Sequence, residues 1–117
     1  AQMKTISAIS NETKDFAARA RSRKLLPNEY QGGTTAVSNL GMFGMKHFTA
    51  VINPPHATIL AVGAGEARAV VRGGEVKVVQ QMTVTLSCDH RAIDGALGAE
   101  LLSAFKDLVE KPMSMLV

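Results

Sequence analysis

The sequence predicts a layered α/β or α+β domain. Three observations carry this. A run with helical spacing opens the chain, a series of short β-branched segments broken by Gly and Pro fills its middle, and a second helical run closes it.

Residues 5–25 read as the first helix. Ile6, Ile9, Phe16, Ala17 and Ala20 recur near the helical period, while Glu12, Lys14 and Arg19 lie off that stripe. Arg21, Arg23 and Lys24 suit the negative end of the helix dipole. Pro27 stops the helix, and residues 27–30 fit one further turn. Gln31-Gly32-Gly33 breaks the pattern, and residues 34–40 follow as a strand. Gly41-Met42-Phe43-Gly44 reads as a tight turn. Residues 48–52 read as a short strand, ended by Asn53-Pro54-Pro55.

Residues 57–62 are nearly all apolar, which predicts a strand covered on both faces. Residues 69–72 and 75–79 flank Gly73-Gly74, the pattern of a hairpin with a two-residue turn. Residues 82–87 alternate Val84 and Leu86 against Thr83 and Thr85. Residues 95–110 form the last helix. Leu97, Leu101, Phe105 and Leu108 make its expected inward stripe, which Leu102 and Val109 widen. Pro112 ends it, and residues 113–117 are a short apolar tail.

The totals bound the function. A chain of 117 residues holds one domain with a core, and 46% hydrophobic with 20% charged residues is a globular composition. Thirteen basic against ten acidic residues give +3, largely from Arg19, Arg21, Arg23 and Lys24. That excess is too mild to argue for nucleic acid, and four Phe and one Tyr leave few rings for stacking on bases. No apolar run approaches the roughly 20 residues needed to cross a bilayer. One cysteine makes no internal disulfide, which fits a reducing compartment: bacterial cytoplasm first, mitochondrial matrix second. The first five residues show no signal pattern. With no initiator Met, the chain reads as a fragment.

The sharpest chemical signal is Ser87-Cys88-Asp89-His90-Arg91-Ala92-Ile93-Asp94-Gly95, set between a strand and a helix. His90 is the residue type for a general base near neutral pH, with Asp94 to orient it and Gly95 to let the backbone turn. The plainer reading makes Asp89 or Asp94 a helix cap and His90 a solvated turn residue. Spacing alone leaves both open and favours the plainer one. Cys88 and His90 lie two apart, the arrangement of a nucleophile and its base, but a small packed thiol is the stronger reading. One short cluster of Cys88, Asp89, His90 and Asp94, with no second ligand pair, does not make a zinc site. Residues 39–44 lack the Lys-Ser/Thr ending of a phosphate loop. His47 and His56 read as loop or surface histidines, and Met42, Met45, Met113 and Met115 as packing residues.

Four segments occur together and in order: Val37-Ser38-Asn39-Leu40-Gly41-Met42-Phe43-Gly44, Ile52-Asn53-Pro54-Pro55, Ala57-Thr58-Ile59-Leu60-Ala61-Val62-Gly63 and Asp89-His90-Arg91-Ala92-Ile93-Asp94-Gly95. Jointly they resemble the dihydrolipoamide acyltransferase family of 2-oxo acid dehydrogenase multienzyme complexes, and within it the acetyltransferases of pyruvate dehydrogenase complexes. The resemblance spans residues 1–117 and matches the C-terminal half of the family's catalytic domain. It implies an α/β, chloramphenicol-acetyltransferase-like two-layer sandwich, of which this chain is the C-terminal half only.

The resemblance also implies chemistry. The family moves an acetyl group between a dihydrolipoyl thiol and coenzyme A, without a metal. The lipoyl group is carried on a separate domain. His90 matches the catalytic histidine. Ser38 matches the hydroxyl that hydrogen-bonds the oxyanion, facing His90 across a subunit boundary. Asp94 matches an acid position that holds the histidine loop or makes a local ion pair. Cys88 matches no catalytic position. A homotrimer assembling into a cubic or dodecahedral core is implied, with pyruvate dehydrogenase and dihydrolipoamide dehydrogenase components as partners.

Two rivals remain. A non-catalytic core or scaffold fragment is one, and the retained His90, Asp94 and Ser38 speak against it. An antibiotic acetyltransferase with the same motif is the other, and Asn53-Pro54-Pro55 and Ser38-Asn39-Leu40-Gly41 speak against that.

Overall fold

A computed structural model describes residues 3–116, in two compact units, residues 1–33 and 34–117. Ala1, Gln2 and Val117, and with them the ends of the signal-free start and of the apolar tail, lie outside the described residues.

The first unit holds α1 (Ile6–Arg21) and α2 (Pro27–Tyr30). Thr5 caps α1, its hydroxyl accepting from the N–H of Ala8 at 3.2 Å. The helix ends at Arg21, short of the expected residue 25. Arg23 takes a left-handed φ of 58°, and the N–H groups of Arg23 and Lys24 turn back to the carbonyls of Ala20 and Arg19 at 3.1 and 2.8 Å. That reversal satisfies the last carbonyls and stops the helix before Pro27 can. Arg19 pairs with both Asp15 and Glu29, and the Glu29 carboxylate also accepts from the N–H of Leu26. Those bonds, the Leu26 N–H first and Arg19 second, hold Glu29 below the ordinary carboxylate range.

The second unit is built on β2 (Thr58–Val62), the central strand of a three-stranded sheet. β1 (Thr35–Asn39) pairs with it in parallel, and the third strand pairs antiparallel on its other side. The apolar run of β2 is explained by this position: Thr58 is 3% exposed, Ala61 2% and Ile59 buried. β3 (Glu66–Arg72) and β4 (Glu75–Gln81) form a separate antiparallel hairpin. Gly73 and Gly74 carry φ of 59° and 80°, the geometry the two-residue turn demands and glycine permits. β5 (Val84–Cys88) starts two residues later than expected. α3 (Gly95–Glu110) has the expected bounds, and a short 3-10 helix (Pro112–Leu116) follows.

Two expectations fail. Residues 48–52 are not a strand. Their side chains alternate between half-buried and exposed, as a strand's would, but among the described residues no neighbouring strand pairs with them, and an extended segment without a ladder is only a loop. Nor does the leucine stripe of α3 point inward. Leu97 and Leu101 are 52% and 51% exposed, and Leu108 is exposed as well. The helix instead meets β5 through Gly98, with Leu102 and Phe105 half-buried. Leu102 and Phe105 are the covered part of the predicted stripe, and Gly98, which carries no weight in a hydrophobic pattern, makes the close contact beside them.

One close approach fixes the far end of the sheet. A Cβ on Gly63 would lie 2.0 Å from the carbonyl oxygen of Lys46, and Ala64 N–H donates to the carbonyl of Met45 at 2.7 Å. Backbone, unlike a side chain, cannot swing aside. Gly63→Ala is therefore expected to cost on the order of 3 kcal/mol by displacing that crossing. A chemical-denaturation midpoint within error of the parent's contradicts this.

Candidate active site

The Asp89–Asp94 segment joins β5 to α3. Its first residue is tied to the sheet, because Asp89 N–H donates to the carbonyl of Ala57, next to β2, at 2.8 Å. The Asp89 carbonyl accepts from the N–H groups of Ala92 and Ile93 at 3.0 and 2.9 Å, which closes a turn over residues 90–92. His90 sits in that turn and is exposed.

The segment's carboxylates have separate duties. Asp94 is the N-cap of α3, its Oδ1 accepting from the N–H of Leu97 at 2.7 Å. Asp89 faces Arg91: Nε lies 3.0 Å from Oδ1 and Nη2 lies 2.8 Å from Oδ2, and the Arg91 N–H donates to Oδ1 at 3.0 Å. The guanidinium, and after it the N–H, pull the Asp89 carboxyl down to about 2. Of the two capping candidates, Asp94 is the cap. Neither carboxylate is turned toward a shared metal position, and among the described residues no three His, Cys, Asp or Glu side chains gather to hold one.

A pocket of about 200 Å³ opens beside the turn, lined by His90 with Leu86 and Cys88 of β5 and Gly95, Gly98 and Leu102 of α3. Cys88 is free and half-buried. A Cβ on Gly98 would lie 2.8 Å from its Sγ, so the thiol fills the space that the missing side chain leaves and lets α3 sit close on β5. That is the packing duty expected of it. His56 also has a local duty: its Nδ1 lies 3.0 Å from the carbonyl oxygen of Asn53.

Ser38 is half-buried near the end of β1 and lines no part of this pocket. The sheet register shows how far away it is. Thr35, Thr58 and Cys88 share one row, and Ser38, Ala61 and Thr85 share another. Those rows are roughly 10 Å apart along the strands, and β1 and β5 are roughly 10 Å apart across them. Ser38 is thus about 14 Å from Cys88, with His90 beyond it. The two rows also point to opposite faces of the pleat. The register therefore sets Ser38 apart from Cys88, the last residue of β5 before the turn that carries His90. Arg91 is the contributor that the sequence reading passed over; its signal was an acid two residues before it in a turn.

The comparisons with known proteins agree on one family. Residues 1–117 match the family model described as 2-oxoacid dehydrogenases acyltransferase (catalytic domain). Among relatives, the dihydrolipoyllysine-residue acetyltransferase component of pyruvate dehydrogenase complex from Rhizobium meliloti (strain 1021) is 68% identical over 117 residues, the whole of this chain and 26% of that protein. Among solved structures, a dihydrolipoamide acetyltransferase of Azotobacter vinelandii superposes with a TM-score of 0.91 at 32% identity, over 97% of this chain and 47% of that one. That structure comes from work on the role of one serine, one histidine and one asparagine in its catalytic mechanism. The cubic core of the pyruvate dehydrogenase multienzyme complex also superposes at 0.91, with 31% identity and the same coverage. The chain spans about a quarter of the length of such relatives and just under half of the solved chains.

The cap makes a prediction. Asp94→Ala is expected to lower stability by about 1 kcal/mol, and Asp94→Asn by only a few tenths, since an amide oxygen caps nearly as well. Equal losses in the two variants, measured by thermal unfolding, contradict the capping role.

Proposed function

This chain belongs to the 2-oxoacid dehydrogenase acyltransferase (catalytic domain) family, and from that membership we propose that it transfers an acetyl group between a dihydrolipoyl thiol and coenzyme A, with His90 as general base. One observation carries the assignment of residues. In the Azotobacter vinelandii enzyme the serine precedes the histidine by the same interval at which Ser38 precedes His90, and the asparagine follows by the interval at which Asp94 follows it. Asparagine and aspartate are both good helix caps, so the exchange preserves the duty that Asp94 performs here. The position holds the histidine turn and moves no proton.

The chemistry follows from the thiols. An ordinary thiol with a pKa of about 8.5 is only a small fraction thiolate at neutral pH. His90 takes the proton of the attacking thiol, and the sulfur adds to the thioester carbonyl. The resulting oxyanion accepts a hydrogen bond from the Ser38 hydroxyl. Collapse expels the other sulfur, which leaves with the proton that His90 returns. The coenzyme A and lipoyl groups are substrates brought to this centre, the lipoyl group on a separate domain.

Ser38 and the end of β5 that leads to His90 lie at opposite ends of one sheet, which supports a centre built from the serine of one copy and the histidine of the next. A trimer that places them together, assembled into a larger core with pyruvate dehydrogenase and dihydrolipoamide dehydrogenase components, completes the proposal. The free Cys88 fits the bacterial cytoplasm as its compartment.

Two variants test the roles in the assembled enzyme. His90→Ala is expected to abolish acetyl transfer from acetyl-coenzyme A to dihydrolipoamide while leaving assembly unchanged. Ser38→Ala is expected to slow transfer about 10²–10³-fold and to leave coenzyme A binding in place. Normal turnover without His90 favours the rival scaffold reading and removes the proposed base. An unchanged rate without Ser38 puts the oxyanion donor elsewhere.

A further inference from the structure

We propose that Asp89 and Arg91 are positioning residues: a clasp across His90 that fixes the turn from which the histidine acts. The proposal rests on the general-base reading above and concerns residues which that reading does not use.

The bonds around His90 all arise from its neighbours. Asp89 N–H is anchored on Ala57, and the Asp89 carbonyl holds Ala92 and Ile93. The Asp89 carboxylate then spans the histidine. It accepts from the Arg91 N–H and from two nitrogens of the Arg91 guanidinium, Nε lying 3.0 and 3.3 Å from the two oxygens and Nη2 2.8 Å from Oδ2. Residue 89 is thereby tied by both backbone and side chain to the residue two ahead, with His90 between. A fork of this kind fixes direction as well as distance, because the planar guanidinium matches the planar carboxylate.

Global stability does not account for the pair. Arg91 is 84% exposed and Asp89 23%. Ion pairs so open to water contribute little to folding, because solvent screens them and ordering the side chains costs entropy. What the pair does constrain is the path of the backbone on either side of an exposed catalytic imidazole. Small misplacements of a catalytic group are expensive in rate. Nor is the clasp a switch in the working range. Asp89 titrates at about 2, so the pair is intact above the ordinary carboxylate range and loosens only as the pH falls through 2.

The test is a set of variants in the assembled enzyme, assayed for acetyl transfer with His90→Ala alongside. Asp89→Asn keeps the acceptor for the Arg91 N–H and loses the charged fork; Arg91→Gln loses the fork from the other side. Each is expected to lower kcat about 10-fold or more, with KM for coenzyme A within about two-fold and the melting temperature nearly unchanged. The double variant is expected to lose no more than either single one, since each already opens the same clasp. Arg91→Lys, which keeps the charge without the planar fork, is expected to recover less than half of the loss. The pH profile of kcat/KM should keep the position of its histidine limb and lose only height.

An unchanged kcat in Asp89→Asn and Arg91→Gln overturns the proposal. So does full recovery by Arg91→Lys, or a shifted limb at unchanged height; either makes the pair a source of charge and not of geometry. Equal activity of His90→Ala and the parent is a different failure: it removes the base itself, whatever the clasp does.

Discussion

The pairing of β2 with a strand on each side governs the rest of the second unit. β2 is the central strand, with backbone partners on both edges and Thr58, Ile59 and Ala61 buried, and its register sets which residues share a row. The same pairing carries the site. The N–H of Asp89 is held by Ala57, the residue just before β2, so the turn bearing His90 is anchored at one end of the sheet. Ser38 is anchored near the other. One ladder of backbone hydrogen bonds therefore holds Ser38 and the turn bearing His90 at different ends of the sheet, which is why the proposed centre draws on two copies.

Local chemistry then divides the labour inside the turn. Asp89 stands directly before the histidine and Asp94 directly before the helix, and their duties are unlike. Asp94 spends its oxygen on the Leu97 N–H in the first turn of α3, and Asp89 on the N–H and guanidinium of Arg91. Neither is left to accept a proton from His90. Among the described residues no side-chain hydrogen bond engages the imidazole of His90, as the proposed base needs, and the pocket of Leu86, Cys88, Gly98 and Leu102 beside it is mostly apolar.

Much of this was legible in the sequence, for physical reasons that differ from element to element. α3 was legible at both ends because Asp94 and Pro112 are strong punctuation, and the hairpin because only Gly73-Gly74 satisfies its turn. The run of β2 announced burial on both faces. Residues 48–52 were misleading because strand character depends on a partner, and no local pattern reports whether one is present. The face of α3 was legible only in Leu102 and Phe105, because its close contact is made by Gly98, whose value lies in its lack of a side chain. Of the site, the residues themselves were legible through the four ordered segments. Their separation within a chain came only with the family resemblance, because it follows from a parallel and an antiparallel pairing between segments distant in the chain. Arg91 escaped notice because its role appears only when the turn folds it back on Asp89.

The measurement that bears most directly on the central claim is complementation between two inactive chains. Ser38→Ala and His90→Ala enzymes are dissociated, mixed and reassembled, and acetyl transfer to dihydrolipoamide is compared with each parent reassembled alone. A centre shared between copies predicts that mixed assemblies regain transfer far above either parent, because some sites then pair an intact Ser38 with an intact His90. Activity no higher than the mean of the two parents, with mixing verified, contradicts a shared centre and with it the account of why one chain holds its two reacting residues apart.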